Sequence, residues 1–168
     1  MNRQTFSALV TSMFALLATG AKLQSARAAD PPSESRVAVG KELFKSKGSC
    51  VFCHGWAGDG GGNPHSPGNA SNLRRTQLSR AQLFEVVSCG RPGTAMPHFN
   101  AYAYVEDPCY GIEGSPGGRI VPPNPPRPLQ PREIDAIIDY LQAKVIGKGP
   151  PTRAECIEFF MEPGPCAD

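Results

Sequence analysis

Two cysteines and a histidine stand close together before the middle of the chain, in the run Cys50-Val51-Phe52-Cys53-His54. Two thiols at this spacing, on a turn that leaves a helix, can both reach the vinyl groups of one haem and form thioether bonds. The adjacent imidazole then lies beneath the porphyrin, where it can bind the iron as an axial ligand. The motif therefore predicts one covalently attached haem c, held by Cys50, Cys53 and His54.

Two other uses of this cysteine spacing need residues that the chain does not offer. A zinc site needs a second pair of cysteine or histidine ligands at metal spacing, and none of the other four cysteines forms a Cys-x-x-Cys pair. A thioredoxin-like redox motif needs a βαβ setting, which the sequence does not predict. The surrounding sequence thus favours covalent haem.

The sixth iron ligand must come from elsewhere in the chain. Met96 lies in a Gly-Thr-Ala-Met-Pro loop between two predicted helices, where the proline stiffens the backbone and the glycine lets it turn sharply. His98 and then His65 are the alternatives, and a methionine can also simply fill a gap in the core. We expect Met96 to bind the iron opposite His54. This ligand pair would raise the potential and close the iron to small molecules, which favours electron transfer over catalysis.

Three amphipathic helices are predicted to position these ligands. The first covers residues 36–48, the second runs from the N-cap Ser79 to Gly90, and the third begins at Pro131 and ends near Gly147. The fold class is therefore all-α, with helices packed around the haem.

A long insert, about residues 100–130, separates Met96 from the third helix. It is rich in proline and glycine, a composition that cannot form a regular element. It is either an ordered cover or a mobile insert, and long loops of this kind are often functional.

The beginning of the chain, residues 1–28, has the layout of a secretory signal peptide, with an apolar run followed by Ala26-Arg27-Ala28 as a small-residue cleavage site. The alternative is an uncleaved membrane anchor. Cleavage would place the mature protein in the periplasm without stable membrane insertion. It would also remove three of the 17 basic residues and leave 14 against 15 acidic ones, which gives no case for nucleic-acid binding.

Export also permits disulfide bonds. Four cysteines remain beside the haem motif, and they allow three pairings. Pairing of nearest neighbours gives Cys89–Cys109 and Cys156–Cys166, and the first bond would span Met96 and fasten the insert to the second helix. Free buried thiols are the alternative.

Across about residues 36–147 the chain resembles the class I (mitochondrial-type) monohaem cytochromes c of the bacterial periplasm. The resemblance is carried by Gly40-x-x-x-Phe44, Cys50-x-x-Cys53-His54-Gly55, Met96-Pro97 and Ile134-x-x-Ile137-x-x-Tyr140-Leu141. In that family the first and last helices cross at a small residue, which matches Gly40, beside aromatic packing that matches Phe44 and Tyr140. The resemblance implies a helical shell with one exposed haem edge and outer-sphere electron transfer.

The chain departs from that family after the haem motif. The family often has Gly-Pro-x-Leu there, and the proline carbonyl accepts a hydrogen bond from the ligand histidine. This chain has Asn72-Leu73 without the proline, so Pro64 or Pro67 is the expected replacement. The second departure is the insert, which is much longer than a small cytochrome needs.

These features predict four segments: a signal peptide (1–28), a flexible leader (29–35), a cytochrome c domain (36–147) and a tail with a disulfide (148–168). The predicted function is that of a monomeric periplasmic electron carrier between a redox donor and an acceptor, and not that of an enzyme. A narrower hypothesis makes it the dedicated acceptor of an exported quinoprotein-type dehydrogenase. The alternative is a haem enzyme or sensor subunit, for sulfur compounds, peroxide or a gas, with an open or labile sixth iron position.

Overall fold

A computed structural model describes residues 32–67, 70–105, 107–114 and 119–166 of the chain. Within these ranges it contains helices and no strand, which agrees with the all-α prediction. The helices are α1 (Glu34–Lys45), α2 (Val51–His54), α3 (Arg80–Cys89), α4 (Pro131–Lys144) and α5 (Arg153–Phe160), with 3-10 turns at Leu73–Arg75 and Cys109–Gly111. The predicted signal peptide and the first residues of the predicted leader lie outside the described residues. None of the described helices has the length and apolar character needed to cross a membrane.

The three predicted helices are present, with shifts at their ends. α1 begins two residues before the prediction, since the Ser33 side chain accepts a hydrogen bond from the backbone N–H of Arg36. It also ends three residues early, because the chain leaves the helix at Ser46 and turns toward the haem motif. α3 is capped by Ser79 as predicted, and α4 begins at Pro131 as predicted.

The crossing of α1 and α4 forms the centre of the core. A Cβ atom on Gly40 would overlap the carbonyl oxygen of Ala136 and lie 2.9 Å from the Cβ of Tyr140. Beside this contact the rings of Phe44 and Tyr140 pack with centroids 5.6 Å apart. The small residue and the aromatic pair are thus where the resemblance to class I cytochromes c places them.

A buried carboxylate, which the sequence analysis missed, ties three helices together. Asp139 on α4 is 3% exposed. Its two oxygens lie 2.8 Å from the Arg36 guanidinium of α1 and 2.6 Å from that of Arg80 at the start of α3. Because each charge is paired, the carboxylate can be buried at this junction without the cost of an isolated ion.

The described residues of the predicted insert are hydrogen-bonded to the loop that carries Met96. Backbone N–H groups join the two segments, from Gly93 to the Ile120 carbonyl at 2.9 Å and from His98 to the Pro123 carbonyl at 3.2 Å. A disulfide between Cys89 and Cys109 fastens the insert to the end of α3, and a second one joins Cys156 to Cys166. Both bonds confirm the nearest-neighbour pairing.

The C-terminal segment contains a helix, α5, that we did not predict. Thr152 and Glu155 form a capping box at its start, and the pattern Thr-x-x-Glu is a readable sequence signal for such a cap. Phe159 on α5 is buried and packs against Trp56 with ring centroids 6.0 Å apart. The helix thereby covers the loop that follows the haem motif.

Candidate functional site

The Cys-x-x-Cys-His motif is presented by a tight connection between α1 and α2. The backbone N–H of Cys50 donates to the Phe44 carbonyl of α1 at 2.9 Å, and that of His54 donates to the Cys50 carbonyl at 2.8 Å. Gly55 ends the turn with φ of 76°, a left-handed value that glycine adopts without strain. Both predicted haem-binding thiols, Cys50 and Cys53, are partly buried and take part in no disulfide. The structure therefore places two unpaired thiols on one helical turn.

The environment of these thiols does not activate them as nucleophiles. Burial raises the pKa of the Cys50 thiol to about 12, and burial also raises the pKa of Cys53. A redox-active Cys-x-x-Cys motif needs the opposite, a thiol pKa that its surroundings lower. The surroundings of these two thiols therefore do not favour disulfide exchange.

The imidazole of His54 is oriented by a hydrogen bond to a backbone carbonyl. Its Nδ1 donates to the carbonyl oxygen of Ser71 at 2.9 Å, which leaves Nε2 with a free lone pair. Burial lowers the pKa of His54, and the hydrogen bond to Ser71 opposes this only in part. The neutral ring with one nitrogen fixed by a second-sphere acceptor is the form in which histidine binds metals.

Ser71 corrects the expectation that Pro64 or Pro67 would accept this hydrogen bond. The sequence did contain the signal. If Leu73 is taken as the leucine of Gly-Pro-x-Leu, the position of the proline falls on Ser71. A backbone carbonyl is available on any residue type, so the missing proline does not remove the interaction. The N–H of Leu73 donates to the Gly58 carbonyl at 2.7 Å. This hydrogen bond holds residues 71–73 against the loop that follows the Cys50–His54 motif.

The candidate sixth ligands lie in three different environments. Met96 is half-buried and packs against the same hydrophobic core as Cys50. His98 is 2% exposed, its Nδ1 donates to the Asn100 carbonyl at 2.9 Å, and its Nε2 has no hydrogen-bond partner. His65 is exposed. Ligation by Met96 stays a prediction, and His98 is the buried alternative.

The residues of this site fit a c-type haem. They supply two unpaired thiols on one turn, a neutral imidazole with its Nδ1 occupied, and a thioether side chain on a loop fastened by a disulfide. Among the described residues, no three His, Cys, Asp or Glu side chains are grouped so that they could hold a metal ion. A zinc site of the tetrahedral kind would need such a group.

Comparison with known proteins gives one family match. Residues 35–112 match the family model of cytochrome C oxidase, cbb3-type, subunit III. A solved structure, the reducing HAO-like protein complex of Kuenenia stuttgartiensis, has a similar chain with 20% sequence identity and a TM-score of 0.48. That likeness covers 68% of this chain and 46% of the other. No curated protein matches the sequence. The matched residues include the Cys50–His54 motif. The match supports a c-type cytochrome domain with a c-type haem as its cofactor, and such domains are typical of electron-transfer proteins.

Proposed function

We propose that the chain is an exported one-electron carrier of the class I cytochrome c type, with a single haem bound to Cys50 and Cys53. His54 and Met96 would hold its iron. The observation that carries the proposal is the hydrogen bond from His54 Nδ1 to the Ser71 carbonyl, because it fixes the imidazole as a strong, oriented ligand beside two unpaired thiols. When bound, the haem takes up and releases one electron at its iron.

The surrounding residues keep this site rigid. Met96 lies on a short loop in which its own N–H donates to the Thr94 hydroxyl at 3.2 Å and its carbonyl accepts from the Arg91 N–H at 3.3 Å. The insert covers this loop. A ligand held in one geometry in both oxidation states suits fast electron transfer, since little has to move when the charge changes.

The insert also supports a specific redox partner. Among the described residues, seven large hydrophobic side chains are exposed, and four of them lie on the insert: Tyr102, Val105, Tyr110 and Ile120. Exposed aromatic and aliphatic side chains are typical of protein-binding surfaces. We therefore include in the proposal that the insert docks a periplasmic redox protein, such as an exported quinoprotein-type dehydrogenase.

Replacement of Met96 by alanine tests the proposed ligand. The oxidised parent protein should show a methionine–iron absorption band and should not bind CO promptly when reduced at neutral pH. The Met96→Ala variant should lose the band, bind CO and have a lower potential, because the thioether raises the potential and fills the sixth position.

His98→Ala is the matched control and should keep the band. Retention of the band in Met96→Ala would show that another methionine, such as Met161, is the ligand. A parent protein that binds haem but shows no such band would favour His98 as the sixth ligand. Prompt CO binding by the parent would contradict the carrier proposal and favour the haem enzyme or sensor.

Removal of the disulfide beside Met96 tests the role of the insert. The Cys89→Ala/Cys109→Ala variant should be less stable by about 2–4 kcal/mol, the usual contribution of such a bond, and should show a weaker methionine–iron band. Thermal unfolding and the oxidised spectrum measure the two effects. The Cys156→Ala/Cys166→Ala variant is the control, since it should lose stability and keep the band. An unchanged band and melting temperature in the first variant would show that the disulfide does not hold the ligand loop.

A further inference from the structure

Arg74 is a charged residue with a side chain that is only 3% exposed. All three nitrogen atoms of its guanidinium donate hydrogen bonds. Nε donates to the Gly149 carbonyl, Nη1 to the Ala57 carbonyl at 3.2 Å, and Nη2 to the Pro150 carbonyl at 3.4 Å. Nη2 also lies 3.0 Å from a carboxylate oxygen of Glu155. Burial of an arginine is costly unless its donors are satisfied, and these contacts stabilise the buried charge. We call Arg74 together with its four partners the clamp.

Arg74 and its partner Ala57 are close in the sequence to the two residues whose hydrogen bond holds the proposed haem ligand. Arg74 is three residues after Ser71, whose carbonyl accepts from His54, and Ala57 is three residues after His54. The backbone of Arg74 is fixed as well, because its N–H donates to the Asn72 side chain at 2.9 Å and its carbonyl accepts from the Gly147 N–H at 2.9 Å. A shift of the guanidinium would therefore move the backbone around Ser71 relative to the loop that follows the Cys50–His54 motif.

The other end of the clamp is anchored in α5. The Glu155 carboxylate accepts the Thr152 N–H at 2.9 Å in the capping box. Burial opposes ionisation of this carboxyl, but the hydrogen bonds from Arg74 and Thr152 outweigh it and hold the pKa of Glu155 below its usual value. The disulfide from Cys156 to Cys166 closes the helix onto its own C-terminal segment. The C-terminal segment thus supplies a fixed negative charge to a site that is distant in the sequence.

We propose that Arg74 and Glu155 are positioning residues that press the Ser71 carbonyl against the Nδ1–H of His54 and so tune the potential of the haem. The proposal rests on the proposed function, since it needs His54 as the axial ligand. A hydrogen bond from Nδ1–H to a carbonyl makes an imidazole a more basic ligand. A more basic ligand favours ferric iron and lowers the potential, so a weaker bond should raise it.

Two variants separate positioning from simple electrostatics. Glu155→Gln removes a negative charge and Arg74→Gln removes a positive one, so direct charge effects alone would raise the potential in the first and lower it in the second. If the clamp positions Ser71, both variants weaken the same hydrogen bond, and both potentials rise. The potential is measured by spectroelectrochemical titration of the full haem-loaded protein.

Exchange of the His54 Nδ1–H with solvent gives the second readout, by NMR of the reduced protein. Loss of one hydrogen bond of ordinary strength should speed this exchange about tenfold or more in both variants. The matched control is Lys144→Gln with Glu158→Gln, which should leave the exchange unchanged. These two residues form an exposed ion pair of 2.7 Å that joins α5 to α4 and does not involve Arg74.

Unchanged exchange in Glu155→Gln would overturn the proposal, as would potentials that move in opposite directions. If Arg74→Gln does not fold, the exchange rate of Glu155→Gln decides alone, because this variant keeps the side-chain size and one acceptor oxygen. Haem content is measured first. A parent protein without covalent haem would instead contradict the proposed function, so the two failures are distinguishable.

Discussion

The Cys50→Ser/Cys53→Ser variant is expected to retain no haem after denaturation and extraction. A serine hydroxyl has nearly the size of the thiol, but it does not form the thioether bond that holds a c-type haem. The expected effect is complete loss of covalent attachment. It is measured by haem staining of the denatured protein and by the mass of the intact chain.

The control for this experiment is Cys89→Ser/Cys109→Ser, which removes two cysteines that lie in a disulfide and not in the haem motif. It should retain covalent haem. Haem that stays bound to the first variant under denaturing conditions would show that another residue carries it, and the proposed site would be wrong.

Gly40→Ala is expected to destabilise the protein strongly for the addition of one methyl group. The new Cβ would overlap the Ala136 carbonyl oxygen of α4, so the two helices that form the core would have to separate. Overpacking of this severity costs about 3 kcal/mol, and the loss should appear as a lower urea midpoint with a similar slope.

Gly164→Ala is the matched control. This glycine has nothing within 4 Å of where its Cβ would be, so its replacement should change the free energy of unfolding by less than about 0.5 kcal/mol. If Gly40→Ala were as mild as Gly164→Ala, α1 and α4 would not cross at Gly40.

The parts of the molecule that could be predicted from the sequence depend on local chemistry. Ser79 and Pro131 mark the starts of α3 and α4 because a cap hydroxyl and a pre-set φ act within one turn. The pairing of Cys89 with Cys109 also follows from short loop closure. The position of Gly40 at the helix crossing could be predicted only from the resemblance to a known family, because a glycine within a helix does not by itself show which helix lies against it.

The parts that could not be predicted depend on contacts between distant segments. Arg74 binds three backbone carbonyls and Glu155. Every residue type has a backbone carbonyl, so the sequence does not show which of them Arg74 binds. Ser71 also accepts through its carbonyl, but its position could have been found by counting back from Leu73. Asp139 looked like an ordinary residue of an amphipathic helix, and only the approach of Arg36 and Arg80 from two other helices shows why it is buried.

The insert shows how composition limits prediction. Its prolines and glycines exclude a regular element, and the described part has only the 3-10 turn at Cys109–Gly111. Composition alone left open whether it was ordered. Composition also gave no sign of the backbone hydrogen bonds that pair the insert with the Met96 loop, a segment about 25 residues earlier.

The covalent haem content of the purified, denatured protein shows whether Cys50 and Cys53 carry the cofactor. It is measured by the pyridine haemochrome spectrum referred to protein concentration. One haem per chain is expected, with the spectrum of a haem whose two vinyl groups are saturated by thioether bonds to Cys50 and Cys53. A protein that loses its haem on denaturation, or that never contained one, would show that the assignment is wrong.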